Sequence, residues 1–178
     1  MTGLRLMRPT AEWADGILAY RQEFFDHGEQ RINGSYGLHR YPSLAPWLEV
    51  VRAIEAERLS PDGIHATTFL SVDDDNQIVG TIQLRHSLTP DLELHGGHIG
   101  YAVRPTRRGQ GWGRAQLLLV LEEARKLGIP RVLITCDRGN EPSARTALAC
   151  GGMLADEIPW RGEMIQRYWI ELGSAAGR

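Results

Sequence analysis

Several things this sequence lacks restrict what it can be. No apolar run approaches the ~20 residues that span a bilayer, and the N-terminus shows no signal-peptide pattern. Neither a membrane protein nor an exported one is expected. Only two cysteines occur, Cys136 and Cys150, and their spacing fits no disulfide framework. They read as buried thiols of a cytoplasmic protein. The formal charge is only -2, which gives no ground for expecting nucleic acid or an anionic membrane surface as partner. Metal ligands in a recognisable pattern are also missing. Asp73-Asp74-Asp75 lacks the glycine and closing glutamate of a calcium loop, and His95-x-x-His98 lacks further ligands and a supporting helix. No repeat, low-complexity tract or linker interrupts the chain.

The 178 residues, 42% of them hydrophobic, suit one domain over 1–172 with a flexible tail at 173–178. Leu4 to Met7 reads as a strand ended by Pro9. A helix is expected from about Ala11 to Asp26, capped by Thr10, with Trp13, Ile17, Tyr20 and Phe24 at helical spacing. His27 to Pro42 is too long for a bare connector and is a candidate functional loop. Ser43 caps a second helix carrying Trp47, Leu48, Val51 and Ile54, closed by Pro61 and Gly63. Thr68 to Val72 and Gln77 to Arg85 form an antiparallel hairpin about Asp73–Asn76, and Thr89 to Gly97 is a second loop. After it come a strand at Ile99 to Val103, a helix at Ala115 to Leu127 and a buried strand at Val132 to Cys136. These three predict a parallel βαβ crossover. A short helix led by Asn140 follows, and a hairpin turned at Arg161-Gly162 closes the chain.

The stretch from His98 to Arg114 organises the rest. Strand, glycine-rich turn and helix in that order present free N–H groups at a helix N-terminus, a ready site for phosphate. Gly109, Gly111 and Gly113 allow close approach to the backbone, and Arg107, Arg108 and Arg114 add charge. The P-loop pattern, with lysine before a hydroxyl residue, does not occur. The dinucleotide fingerprint fails at Arg114 and needs an earlier strand.

Arg108-Gly109-Gln110-Gly111-Trp112-Gly113 resembles the pyrophosphate loop of the GNAT superfamily of N-acetyltransferases. Gly100-Tyr101-Ala102-Val103-Arg104-Pro105 is similar to that family's fourth strand. Asn140-Glu141-Pro142-Ser143 is similar to its Asn-x-x-Ala/Ser signature, with Gly151 downstream. The resemblance covers nearly the whole chain, closest to a bacterial branch of predicted acetyltransferases. It implies an α+β fold: a mixed, mostly antiparallel sheet with the parallel βαβ unit at its centre and helices on both faces. It also implies acetyl-CoA as co-substrate and no metal. The N–H groups from Arg108 to Gly113 would hold the pyrophosphate, with Arg107, Arg108 and Arg114 near the phosphates. Tyr101, Ala102 and Val103 would run beside the pantetheine arm if the fourth and fifth strands splay, and Asn140 and Ser143 would line its thioester end.

One position departs from the family. The tyrosine that often donates a proton to the leaving thiolate is here Ala147. Ser143, Tyr101, Tyr168 or water remain as acids. His98, with an ordinary pKa of about 6.5, is the leading candidate base; Glu93 and Asp137 are weaker ones, and each reads as readily as structural. The expected acceptor is a small-molecule amine. Asp26, Glu29, Asp91 and Glu93, in the loops expected to shape its pocket, suggest a cation. A homodimer is compatible with the resemblance. The alternative is a non-catalytic acyl-CoA-binding sensor or partner-binding module on the same fold.

Overall fold

The computed structural model describes residues 3–56 and 63–173. Pro61 and the tail residues 174–178 lie outside that range. β1 (Leu4–Met7), β2 (Ala66–Asp73), β3 (Ile78–Arg85) and β4 (Ile99–Val103) form one antiparallel sheet in the order 1-2-3-4. β5 (Arg131–Asp137), β7 (Glu163–Glu171) and β6 (Met153–Trp160) form a second, in the order 5-7-6. Helices cover both faces of the first sheet. α1 (Ala14–Asp26) and α2 (Leu44–Glu55) pack on one side, burying Ile17, Tyr20, Phe24, Trp47 and Val51 against Leu70, Val72 and Ile78. On the other side α4 (Trp112–Lys126) buries Leu117, Val120 and Leu121 against Phe69, Ile82 and Leu84, and continues onto Val132 and Ile134 of β5. Two covered faces explain why every residue of β2 is buried, with no polar alternation.

Local signals mostly hold, with instructive exceptions. Thr10 makes no side-chain cap; its backbone carbonyl accepts the Trp13 N–H, because the chain enters α1 through a 3-10 turn at Ala11–Trp13. Ser43 likewise makes no cap bond, whereas Asn140 accepts from the Ser143 N–H at the start of α5 (Glu141–Ala149). The loop at 89–97 holds a short helix, α3 (Pro90–Leu94), with the Thr89 hydroxyl accepting from Leu92 N–H. The second helix ends at Glu55, before the expected stop.

The largest difference concerns the βαβ unit. β4 and β5 run side by side, yet they belong to separate sheets. Their only backbone hydrogen bond among the described residues runs from His98 N–H to the Leu133 carbonyl, 2.8 Å, at the head of β4. Beyond that point the strands separate.

Candidate active site

Hydrogen-bond phase shows which backbone groups face the gap. In the β3–β4 ladder, Arg104 N–H bonds Val79 O and Arg85 N–H bonds His98 O. Bonded pairs alternate along an antiparallel ladder, so Gly100 and Ala102 turn to β3 while Ile99, Tyr101 and Val103 turn away. The same count on β5, fixed by Arg138 N–H on Met164 O, turns Leu133 and Thr135 toward β4. The seam is therefore edged by backbone donors and acceptors of two sheets that do not reach each other. An extended amide-bearing chain fits there as an added strand. Of the three residues expected beside the pantetheine arm, Tyr101 and Val103 present their main chain to the seam. Ala102 is paired to Thr81.

The cradle lies at the carboxyl end of β4. Gly111 caps α4 at φ 85°, and Gly109 has φ 72°. A Cβ at either glycine would meet nothing within 4 Å, so the surface over the turn is clear for a ligand. The first hydrogen bond of α4 is from Ala115 N–H to Gly111 O, so the N–H groups of Trp112, Gly113 and Arg114 point outward as anion donors. Gln110 braces the turn, donating from its amide to Thr106 O and accepting from the Trp112 indole.

The basic side chains are less available than their sequence suggests. Arg108 makes a bidentate pair with Glu29, at 2.6 and 2.9 Å, and its Nε donates to Val103 O. Arg107 is held by the buried Asp73 carboxylate at 3.2 Å. Among the described residues, Arg114's side chain has only the Ala149 carbonyl as partner and no carboxylate beside the helix start. These pairings cross 79 and 34 residues, and no local pattern announces them.

Across the seam, Tyr101 reaches from β4 to α5. Its hydroxyl lies 3.2 Å from Ser143 Oγ, with Thr146 beside both. Burial pushes the Tyr101 phenol above its ordinary pKa, against the pull of hydrogen bonds from Ser143 and Thr146. Ala147, one turn beyond Ser143 on the same face of α5, is fully buried. Thr146 was not singled out from the sequence. Its hydroxyl donates to Pro142 O, and a Cβ at Gly113 would lie 3.6 Å from it, an ordinary contact distance, so α4 and α5 meet closely here. Cys136 is buried and its thiol pushed upward by that burial, not activated. Tyr168 donates to Gln166 and packs in the core.

His98 is placed differently from the expectation of a free base. Its Nδ1 accepts the Leu133 N–H at 2.9 Å while its own N–H bonds Leu133 O, so the residue clasps the two sheets where the seam closes. The ring is 8% exposed and lies edge-on to Trp169, beside a second hollow lined by Leu127 and Pro130. Burial, helped by Arg85 and Arg131, lowers its pKa to about 4. With Nδ1 accepting, a neutral ring carries its proton on Nε2.

On the α1–α2 side of β4 lies a cavity of about 530 Å³, within the range of small-molecule sites. Its wall includes Asn33 and Gly34, and Gly34 presses on β4: a Cβ there would come 2.2 Å from Gly100 O. None of the four carboxylates expected to suggest a cationic acceptor lines it. Glu29 pairs with Arg108, Asp26 takes the Gln22 amide, and Asp91 and Glu93 sit exposed on α3. Among the described residues no group of three or more His, Cys, Asp or Glu could hold a metal ion, and no helix is long and apolar enough to cross a membrane.

Comparison with known proteins agrees with this geometry. The profile of the acetyltransferase (GNAT) family matches residues 23–151, nearly three-quarters of the chain, and the chain belongs to that family. A search of curated proteins finds no match. Among solved structures, Mycobacterium smegmatis RimJ in complex with CoA-disulfide is similar at 18% identity and TM-score 0.69, over 94% of this chain and 81% of that one. The self-immunity acetyltransferase MccE with acetyl-CoA and AMP is similar at 17% identity and TM-score 0.64, over 94% and 92%. A chimera of the Vibrio cholerae spermidine N-acetyltransferase SpeG gives 13% and 0.60, over 95% of each chain. All three share the fold, and the chain is an acyltransferase of this family.

Proposed function

We propose, from that family membership, that the protein moves an acetyl group from acetyl-CoA to a primary amine held in the cavity beside β4. The observation that carries the reading is the seam: two strands clasped at His98 and Leu133, then parting, with the glycine cradle at the far end. The residues present fit acetyl-CoA. Outward N–H groups of Trp112 to Arg114 with the open turn at Gly109 and Gly111 suit its pyrophosphate, and Tyr101 and Val103 suit its amide arm. Two of the similar proteins hold CoA or acetyl-CoA.

When bound, acetyl-CoA supplies an acyl carbon activated by its thioester. The chain supplies position and protons. Gly34, in the cavity's wall, packs directly on Gly100 of β4, so an amine held there lies on the α1–α2 side of the strand. Tyr101 and Ser143 approach it from the α5 side. Tyr101 is the acid: a buried, protonated phenol whose hydroxyl stands beside the helix face where the family's tyrosine would rise from position 147. Ser143 orients that hydroxyl. Water takes the proton of the attacking amine, since His98 holds the clasp.

The sensor alternative draws on Ala147 alone, and the Tyr101–Ser143 pair weighs against it. Titration calorimetry with acetyl-CoA, with ATP and NAD as controls, tests binding, and thiol release over an amine panel tests turnover. Selective micromolar binding that Gly111→Glu abolishes is expected. Equal binding of ATP would remove the cradle assignment.

A further inference from the structure

The cavity beside β4 has an unusual charge. Arg31, His39, Arg40 and Arg85 line it, and no aspartate or glutamate does so among the described residues. Several other arginines are matched by carboxylates: Arg104 with Glu23, Arg107 with Asp73, Arg108 with Glu29 and Arg167 with Asp156. Among the described residues, Arg31, Arg40 and Arg85 form no ion pair.

Arg85 is the anchor of the group. It stands at the end of β3, largely buried, with Nη1 donating to the carbonyls of Gly96 at 3.1 Å and Gly97 at 2.9 Å. Those two bonds fix the guanidinium plane and leave Nε and Nη2 without a protein acceptor among the described residues. A desolvated cation without a carboxylate is costly unless a ligand provides the counter-charge. Tyr36, which also lines the cavity, holds φ 48°, a conformation that costs a non-glycine residue energy and recurs at ligand sites. The basic character extends past the cavity. Arg161 and His95 sandwich Trp160, at 4.3 and 4.4 Å, and Arg31, Arg85 and Arg161 all act on His95, with Asp137 the one opposing carboxylate.

We infer that the acceptor carries its own anion, a carboxylate or a phosphate, which Arg85, Arg31 and Arg40 hold while its amine faces Gly100 and Tyr101. This rests on the acetyltransferase reading above and specifies its substrate class. Guanidinium groups grip either anion in a bidentate way. The same positive field repels a polycationic acceptor and lowers the pKa of an amine placed within it, favouring the neutral form that attacks.

The test uses paired amines that differ in the anion: glucosamine 6-phosphate against glucosamine, and phenylalanine against phenylalaninamide. Calorimetry gives Kd for each on the full chain, alone and saturated with CoA. The charged member of at least one pair is expected to bind tenfold or more tightly than its neutral twin. The Arg31→Gln/Arg40→Gln double variant, on exposed or loop positions, should erase that ratio without loss of CoA affinity. A preference in the first pair alone assigns phosphate, and one in the second alone assigns carboxylate. Equal binding within both pairs, absence of binding by all four, or a preference that survives the double variant overturns the inference. Failure of CoA to bind would instead remove the acetyltransferase reading, and the pairs measured without CoA still report on the anion site.

Discussion

The hydroxyls of Tyr101 and Ser143 lie 3.2 Å apart although 42 residues separate them, one on the last strand of the first sheet and one on the helix that follows β5. This contact spans the seam between β4 and β5. Tyr101→Phe keeps the ring and removes the proton. It is expected to lower kcat by roughly a hundredfold or more with little change in acetyl-CoA affinity. Ser143→Ala, which only releases the hydroxyl's orientation, should cost less. Steady-state kinetics on both variants with a turned-over amine check the order. Equal and small effects would leave the acid to water.

The arginines about the glycine turn divide into Arg107 and Arg108, each paired with a carboxylate, and Arg114, which is not paired with one among the described residues. Arg108 is paired with Glu29 and partly exposed, so Arg108→Gln should change acetyl-CoA affinity by less than threefold and stability by at most about 1 kcal/mol. Arg114 has no carboxylate partner among the described residues. Arg114→Gln should weaken binding several-fold and flatten its dependence on salt. Titrations at two ionic strengths would reveal a reversal of that ranking.

Gly34 tests the wall between cavity and seam. Its φ is 65°, and a Cβ there would sit 2.2 Å from Gly100 O and 2.6 Å from Tyr101 Cα, both backbone atoms with no freedom to move aside. Gly34→Ala should destabilise the fold by about 1–3 kcal/mol through overpacking. It should also raise KM for the acceptor more than Kd for acetyl-CoA. Denaturant melts and kinetics on one variant give both numbers.

His98 gives a pH dependence whose sign follows from its clasp. Folding lowers its pKa from about 6.5 to about 4, so the unfolded chain binds the proton more readily. The stability due to the neutral imidazole is complete above the unfolded pKa and disappears as pH falls from 6.5 toward 4. It amounts to roughly 3 kcal/mol for the full shift. Urea midpoints between pH 7.5 and pH 4.5 should fall more steeply for the native protein than for His98→Asn, which keeps an acceptor near Nδ1 but does not titrate. Parallel slopes would show that another group governs the acid limb.

Several parts of this protein were readable in the residues alone because their causes are local. Glycines at 109 and 111 need left-handed φ and supply it, Asn140 caps the helix it precedes, and helical periodicity places Ile17, Tyr20 and Phe24 on one face. The order of elements and the family's spacing at 108–113 and 140–143 are also properties of the string, and they carry the phosphate cradle and the fold. Periodicity could not reveal that the adjacent strands β4 and β5 would part. A parallel pair is expected to join, and only the clasp of His98 on Leu133, with the register each strand keeps to its own sheet, opens the seam. Charge pairing was equally hidden. Of the carboxylates expected to suggest a cationic acceptor, Glu29 instead neutralises Arg108, and Arg31 and Arg40 converge with the sequence-distant Arg85 on the cavity, with no ion pair among the described residues. Electrostatic partners are chosen by distance in space, so the basic cavity became legible only once the chain had folded.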